Sequence, residues 1–334
     1  MSDFGDTIME KFNNYNISLM VESKVTSTWI GGFQQLKSSR GGASKKGFTL
    51  ERYVKYLFVA PTIIYLLILL IFPTIFNIYI SLHKWLIGMS PRFTGGENYV
   101  KLFTDSRFLN DVIVTFKFVI IAVCLEVGLG FLLALTAFRV ARGVKIFRVL
   151  FIFPVMVAPI ASGYMWRMLL HADYGVIPNL LVKLGFPRME IISNPKLAFW
   201  GIILIDVWQW TPFVFLVIYA GLNVLPREPY EAALVDGASS WQIFRYITLP
   251  LISPIIFTVT LLRIIEAFKI FDIIYITTGG GPGIMTESLS LYVYIQALKF
   301  FNLGYAASAA WIFFLMVMVL TTLYIMRLRK EMRM

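Results

Sequence analysis

Six long apolar segments dominate this chain and restrict its fold more than any other feature. As an α-helix, a segment of about twenty residues crosses the roughly 30 Å hydrocarbon core of a bilayer. Since hydrocarbon cannot hydrogen-bond the backbone, such segments span as helices. The sequence therefore predicts an all-α integral membrane protein with six transmembrane helices. The predicted spans are Tyr56–Ile80, Val112–Phe138, Val149–Leu170, Leu197–Leu222, Leu251–Thr277 and Tyr305–Met326.

The composition excludes several classes of protein. Hydrophobic residues make up 58% of the chain and charged residues 15%, so a soluble core could not bury the apolar surface. The net charge of +11 comes mostly from Lys and Arg at the ends of spans, which is typical of membrane topology signals and not of a nucleic-acid partner. Cys124 is the only cysteine, and the two histidines, His83 and His171, are not clustered. We therefore expect no disulfide and no metal site.

Basic residues predict the orientation of the spans. Lys and Arg concentrate in cytoplasmic loops near span ends. The three basic groups that meet this description are Lys37, Arg40, Lys45, Lys46, Arg52 and Lys55, then Arg139, Arg142, Lys145 and Arg148, and finally Arg327, Arg329, Lys330 and Arg333. We therefore expect a multi-pass protein of the cell (inner, or cytoplasmic) membrane with both termini in the cytoplasm. Residues 1–50 are predicted to be a polar cytoplasmic tail, and 51–334 a six-helix transmembrane domain.

A short helical hairpin at 226–250, on the predicted cytoplasmic side, separates spans four and five. Pro226 and Pro229 end one span and begin a new helix, because proline is tolerated at a helix start and not in its interior. Gly237 suits the left-handed position that ends a helix. Ser239 and Gln242 have the spacing of a capping box, so a second helix should begin there and run toward Pro250. A bend with a bare alanine face suits insertion into a groove of another protein.

The hairpin resembles the EAA signature of ABC importer permeases. The matching residues are Glu231, Ala232, Ala233, Asp236, Gly237, Ala238, Ile247, Leu249 and Pro250. A second match follows in Phe268-x-x-Phe271-Asp272-x-x-Tyr275 and Gly281-Pro282, at the end of span five. Together these motifs are similar to the carbohydrate branch of binding-protein-dependent permeases, the MalF-like family. The chain departs from that family in its longer tail and in lacking the extra spans and large outer domain.

The resemblance implies a type I ABC importer permease fold and a role in ATP-driven sugar import, without enzyme activity in this chain. It implies that the hairpin couples to a separate ATPase, with Glu231 pairing a basic group there. ATP would be bound by that partner, since the chain has no phosphate-binding Gly-x-x-x-x-Gly-Lys-Ser/Thr sequence and needs no cofactor of its own. The implied partners are a second homologous permease, two ATPase subunits, an extracytoplasmic solute-binding protein, the sugar and membrane lipid.

By the same resemblance, spans four and five line the transport pathway. The candidate pathway residues are Gln209, Trp210, Phe213, Arg263, Glu266 and Ile270. Two interpretations of the charges stay open. Arg263, Glu266, Lys269 and Asp272 alternate in sign at i,i+3 spacing, so they form either a self-neutralising ladder or, for the first two, contacts to sugar hydroxyls. Trp210 and Phe213 are equally open to a role as interfacial aromatics.

Two other functions are compatible with the sequence. One is an importer of a polyol or glycerol-phosphate with the same architecture. The other is a secondary transporter in which Arg263 and Glu266 relay protons or ions, although this leaves the hairpin without a role.

Overall fold

The computed structural model describes residues 47–139 and 151–331. Most of the predicted tail lies outside these ranges, as do Arg142, Lys145 and Arg148. Contacts divide the chain into two units, one ending at Asn77 and one comprising Ile78–Met334. The first unit contains most of helix α1 (Gly47–Ser81), which includes the first predicted span. Residues 47–50, assigned to the tail from the sequence, already belong to this helix.

The second unit is helical apart from one short antiparallel hairpin within the described residues. Its strands are β1 (His83–Lys84) and β2 (Arg92–Phe93), with His83 opposite Phe93. The helices that follow are α2 (Glu97–Thr104), α3 (Ser106–Arg139), α4 (Pro159–Leu169), α5 (Val176–Lys183), α6 (Ala198–Asn223), α7 (Glu228–Val235), α8 (Ser240–Ile243), α9 (Leu249–Phe268), α10 (Asp272–Thr277), α11 (Leu289–Tyr294) and α12 (Leu303–Glu331). A π-helical turn, Phe244–Thr248, joins α8 to α9, and a second, Ile295–Lys299, follows α11.

Five helical segments among the described residues are long and apolar enough to cross a membrane. They are Tyr56–Ser81, Ser106–Phe138, Ala198–Asn223, Ser240–Thr277 and Leu303–Arg329. These correspond to predicted spans one, two, four, five and six. Spans two and five begin earlier than predicted, at Ser106 and Ser240 instead of Val112 and Leu251. In both, the helix already starts before the apolar part of the span.

The third predicted span, Val149–Leu170, is interrupted. Residues 151–156 are helical, the helix breaks at 157–158, and α4 then begins at Pro159. Ala158 has a ψ of 136°, because the ring of the following proline disfavours helical geometry in the residue before it. Pro159 itself suits the first position of a helix. The third segment is therefore two helical pieces, and the proline explains the break between them.

The fifth predicted span is also interrupted, near its far end. Helix α9 ends at Phe268 and α10 begins at Asp272. The hydroxyl of Ser288 donates to the Ile270 carbonyl between them, at 2.9 Å. The break is thus stabilised by a segment more distant in sequence, which the analysis of the span alone could not reveal.

Close packing of α3 against α6 forms one of the hydrophobic cores. Ala134, Val214, Phe215 and Ile218 are buried there. A Cβ added at Gly130 would lie 2.7 Å from Cγ1 of Val214, so only glycine permits this approach of the two helices. Small residues at helix crossings are a common means of association in membranes, where burial of apolar surface gives little driving force. The packing brings α3 and α6 beside α9, where the charged residues described below meet.

Candidate functional site

The hairpin at 226–250, called the elbow from here on, has the predicted shape. Helix α7 carries Pro229 in its first turn, together with Glu228 and Glu231, whose negative charges suit the positive end of the helix dipole. Gly237 has a φ of +73°, the left-handed conformation that ends many helices. Its N–H donates to the Leu234 carbonyl at 3.1 Å.

Two further groups of hydrogen bonds complete the bend. The Ala238 N–H donates to the Ala233 carbonyl at 2.9 Å, which with the Gly237 bond makes a Schellman motif. Ser239 then caps α8 in the predicted capping box. The Gln242 N–H donates to the Ser239 hydroxyl at 3.4 Å, and the Ser239 N–H to the Gln242 side chain at 2.7 Å. The predicted helix–glycine–helix geometry is confirmed.

The second arm of the elbow continues into span five without a break. Helix α8 passes through the π-helical turn into α9, and the Leu249 N–H donates to the Phe244 carbonyl five residues earlier. Pro250 has no N–H, so the α-helical hydrogen bond to the Tyr246 carbonyl cannot form. The wider π-helical turn therefore lies where an α-helical bond is missing anyway. The elbow and α9 therefore form one continuous helical rod from Ser240 to Phe268.

The elbow presents an exposed outer face and one internal brace. Val235, Trp241 and Tyr246 are 87%, 69% and 74% exposed, and the predicted contact residues Glu231, Ala232 and Asp236 are exposed as well. On the inner side, the buried Tyr230 hydroxyl donates to the hydroxyl of Thr248 at 3.2 Å, which ties α7 to the second arm. Burial raises the pKa of Tyr230, so the phenol stays neutral. Large apolar side chains left exposed on a braced bend are typical of a protein interaction site.

A buried ion cluster lies where three spans meet. We use this name for Glu126 of α3, Asp206 of α6 and Arg263 of α9. The Arg263 guanidinium donates from Nε to Glu126 Oε2 at 2.6 Å and from Nη2 to Glu126 Oε1 at 2.9 Å. Nη2 also donates to Asp206 Oδ2 at 3.1 Å. None of the three residues is more than 3% exposed.

The ion cluster offsets a large solvation cost. A charge at the centre of a spanning helix costs roughly 2.5–3.5 kcal/mol on insertion scales, so such groups face protein and pair with one another. The two parallel bonds to Glu126 are the strong bidentate form of an arginine–carboxylate pair. The Arg263 guanidinium also lies over the Trp210 ring, 4.6 Å from its centroid, a favourable cation–π contact. Arg263 thereby links three spans and orients a predicted pathway aromatic.

The structure separates the predicted pathway residues into different environments. Gln209 is buried and donates to the Val157 carbonyl at 3.0 Å, at the break before α4. Phe213 is partly buried and meets Trp210 edge-on, with ring centroids 6.3 Å apart. Glu266 is exposed and pairs with Lys269 at 2.7 Å, so the i,i+3 ladder forms only for this pair. Ile270 is 7% exposed and packs in the core.

The ion cluster was not predicted from the sequence. Arg263 was expected to pair along its own helix or with sugar, whereas the structure pairs it with Glu126 across helices. Glu126 and Asp206 each place one carboxylate inside a long apolar run. A charge in that setting needs a partner within the bundle, and this was the only indication of the cluster in the sequence. Among the described residues no group of three or more His, Cys, Asp and Glu could hold a metal.

Polar contacts also fix the segment after span five to the start of α3. Arg107 donates two hydrogen bonds to Glu287, at 3.1 and 2.9 Å. The hydroxyls of Tyr292 and Tyr305 donate to Asp105 Oδ2 at 2.7 and 2.9 Å. Burial raises the pKa of Asp105, but these two donors together with the backbone N–H groups of Phe108 and Arg107 outweigh it and lower the pKa of the carboxyl. The network ties Glu287 and Tyr292 to the start of α3.

In the part of the chain that the structure describes, five helices long and apolar enough to span, together with an exposed elbow, are the features of an integral membrane protein with a surface for a partner. Residues 126–329 match the family described as binding-protein-dependent transport system inner membrane component. The chain belongs to this family. It is accordingly a multi-pass permease subunit of an ABC importer and is not an enzyme, and the predicted family is confirmed.

Individual relatives agree with this assignment. The chain is 36% identical over 255 residues to the trehalose/maltose transport system permease protein MalF of Thermococcus litoralis, covering 76% of this chain and 85% of that one. It is 32% identical over 273 residues to the sn-glycerol-3-phosphate transport system permease protein UgpA of Agrobacterium fabrum, covering 81% and 93%.

Among solved structures, the fold is similar to a chain of a bacterial alginate ABC transporter in complex with alginate pentasaccharide-bound periplasmic protein. The TM-score is 0.74 at 22% identity, and the match covers 84% of this chain and 96% of that one. This similarity confirms the type I ABC importer permease fold.

Proposed function

We propose that this chain is the membrane-spanning permease subunit of an ATP-driven carbohydrate importer. The observation that carries the proposal is the elbow, a braced and exposed helical bend joined without interruption to a spanning helix. Carbohydrate is favoured as cargo because similar proteins are named for trehalose/maltose and, in Thermoanaerobacterium thermosulfurigenes, for starch degradation products.

The elbow is the surface that meets an ATPase subunit. Its exposed apolar and small side chains suit a helix lying in a groove of another protein. Glu231 supplies a carboxylate for a basic group of the partner, and Gly237 sets the bend between the two arms. The proposed coupling residues are Glu231, Ala232, Ala233, Asp236, Gly237, Ala238, Ile247, Leu249 and Pro250.

Movement of the elbow reaches the middle of the bundle through the rod from Ser240 to Phe268. Arg263 lies on this rod and is bonded to α3 and α6. A displacement imposed at the elbow therefore acts on three spans together. Because Arg263 also holds the Trp210 ring, the same displacement changes the environment of the proposed pathway.

The proposed pathway residues are Gln209, Trp210, Phe213, Arg263, Glu266 and Ile270, of which Gln209, Arg263 and Ile270 are buried in this chain. Trp210 and Phe213 offer aromatic faces to the C–H groups of a sugar ring. Gln209 and Glu266 offer hydrogen-bonding groups for its hydroxyls. Arg263, which uses its donors within the ion cluster, contributes mainly by positioning Trp210.

The working complex contains more than this chain. We propose that a second homologous permease completes the pathway, that two ATPase subunits bind ATP in the cytoplasm, and that a solute-binding protein delivers cargo from outside. Both termini and the elbow then face the cytoplasm, and lipid surrounds the remaining faces.

A second candidate cargo is a glycerol-phosphate or polyol. The similarity to UgpA proteins of Agrobacterium fabrum and Rhizobium meliloti, at 32% identity each, favours it. The architecture and the coupling role of the elbow are the same in both cases.

The proposal is tested in proteoliposomes that contain the assembled transporter and its binding protein, loaded internally with ATP. We expect uptake of maltose or trehalose that depends on ATP and persists when an uncoupler is added. Glu231→Ala should abolish uptake and cargo-stimulated ATP hydrolysis while the complex still assembles. Glu228→Ala, in the same helical turn, is the matched control and should retain uptake.

Uptake by this chain alone, driven by an ion gradient, would contradict the importer assignment. Uptake of glycerol 3-phosphate or sorbitol but of no sugar would keep the coupling mechanism and replace the cargo.

A further inference from the structure

We propose that Phe271, Tyr275 and Tyr294 form a second contact site for cargo, which binds the ring of a pyranose sugar. We call these three residues the aromatic platform. It lies at the end of span five remote from the elbow and contains none of the pathway residues named above. The inference rests on the proposed function and adds a place where the sugar is held before or after it passes the centre of the bundle.

Three rings from two separate segments come together in the aromatic platform. Phe271 and Tyr275 are stacked, with centroids 5.2 Å apart and planes inclined by 14°. Tyr294 of α11 meets both, at 5.1 Å from Phe271 and 5.2 Å from Tyr275, inclined by 55° and 69°. Because Tyr294 is inclined to the other two rings, we expect the apolar C–H face of a pyranose chair to lie against one ring while its edge meets another.

The hydroxyl groups of the aromatic platform lie at its polar rim. The Tyr294 hydroxyl donates to that of Tyr275 at 3.3 Å. The two phenols therefore keep further donor and acceptor capacity for a ligand. Lys299 adds a cation 6.0 Å from the Tyr275 centroid. Aromatic faces with adjoining hydroxyl and ammonium groups match a sugar, which has apolar C–H faces and a rim of hydroxyls.

A neighbouring tyrosine shows what a purely structural role looks like here. Tyr292, on the same helix as Tyr294, is fully buried, and its hydroxyl donates to Asp105 at 2.7 Å. Tyr294 and Tyr275 are instead only partly buried, and their hydroxyls bond each other. Tyrosines that served only to fill the core would point their hydroxyls to an interior partner, as Tyr292 does.

A break in the spanning helix lies at the same place and sets the position of one ring of the aromatic platform. Phe271 stands between α9 and α10, with φ −139° and ψ −59°. Non-helical backbone at membrane depth is tolerated where it is covered by protein or lines a water-filled cavity, and interrupted spans frequently carry substrate sites. Ser288 and Ser290 donate to the carbonyls of Ile270 and Phe268, at 2.9 and 3.5 Å, which stabilises the break and fixes the position of Phe271.

The site is tested by equilibrium binding to the assembled transporter in lipid nanodiscs, without the binding protein. The pyranose probes are maltose, trehalose and maltotriose, and the acyclic comparators are sorbitol and glycerol 3-phosphate. The variants are Tyr275→Ala, Tyr294→Ala and Tyr294→Phe. Tyr164→Ala, which removes an exposed tyrosine from α4, is the matched control.

For at least one pyranose, we expect Tyr275→Ala and Tyr294→Ala each to raise the dissociation constant about tenfold, the size of an aromatic contact. Tyr294→Phe keeps the aromatic ring and removes only the hydroxyl, so it should raise the dissociation constant less than Tyr294→Ala does. Tyr164→Ala should have no effect, and binding of the acyclic probes should not change, because they have no ring face to stack.

Unchanged affinity for every pyranose that the wild type binds would overturn the aromatic platform and leave the importer proposal intact. An equal loss in Tyr164→Ala, or for the acyclic probes, would overturn it as well. A wild-type complex that binds and imports none of the pyranoses would overturn both proposals together.

Discussion

The elbow and the ion cluster are stabilised in opposite ways, although one helical rod carries part of both. The bend of the elbow is held by hydrogen bonds between residues three to five apart, such as Gly237 to Leu234 and Ala238 to Ala233, and its two arms by the Tyr230–Thr248 bond within the same hairpin. The ion cluster joins residues 137 and 57 positions apart, and none of them is exposed. A surface that must remain free for another protein is therefore shaped locally, whereas the junction of three spans depends on charges that meet only in the folded bundle.

The largest effect should come from breaking the ion cluster. Glu126→Ala removes the bonds that Arg263 donates from Nε and Nη2 to this carboxylate, and leaves Asp206 as the remaining carboxylate of the cluster. Loss of one member of a buried pair costs about 3–5 kcal/mol. We expect a strongly lowered melting temperature of the purified complex. The triple variant Glu126→Leu, Asp206→Leu, Arg263→Met, which leaves no isolated charge, should recover most of that loss. If Glu126→Ala melts at the same temperature as the wild type, the ion cluster does not stabilise the packing of the three spans.

The next largest effect concerns the bend of the elbow. Gly237→Val places a β-branched residue at φ +73°, which costs about 1–2 kcal/mol for an L-residue. A Cβ at this position has nothing within 4 Å, so the cost comes from the backbone and not from a clash. We expect reduced ATP-driven uptake with the spans still folded. Gly237→Asn should be milder, since asparagine tolerates this conformation; equal defects would argue against the backbone explanation.

A smaller effect is expected from the helix cap. Ser239→Ala removes the acceptor for the Gln242 N–H and should destabilise the second arm by about 1 kcal/mol. Ser240→Ala, one residue further, leaves the cap in place and is the control. Hydrogen exchange of the amides at 240–243 would measure the difference. Equal exchange in the two variants would mean that the cap does not stabilise the arm.

The smallest effect belongs to a charge pair outside both regions. Arg188 and Asp173 lie 3.3 Å apart, with side chains 53% and 75% exposed. Exposed ion pairs contribute less than about 1 kcal/mol. Arg188→Ala should therefore change neither the melting temperature nor uptake measurably. A large loss would indicate that this pair has a partner in the assembled transporter.

The same contrast explains how much of the molecule could be predicted from the sequence. Capping and glycine positions depend on neighbours within a few residues, so Ser239, Gln242 and Gly237 were assigned correctly. Span positions follow from apolar length, so five of the six segments were located well. The partner of Arg263 could not be predicted, because it depends on how α3, α6 and α9 pack.

The two helix breaks show a further limit. Pro159 carried a local signal for the first, since a proline changes the conformation of the residue before it. The break at 269–271 had no comparable signal, because its carbonyls are satisfied by Ser288 and Ser290 from another segment. The coupling and pathway residues remain predictions.

The π-helical turn Phe244–Thr248 has a consequence for how the elbow and Arg263 stay aligned. In an α-helix each residue turns the chain by about 100°, so an added residue would rotate everything beyond it. A π-helical turn absorbs one extra residue in a wider ring and leaves the downstream angle as it was. Shortening the chain by one residue within this turn would therefore keep the guanidinium aimed at Glu126. The same deletion within α9 would swing it to another side of the bundle.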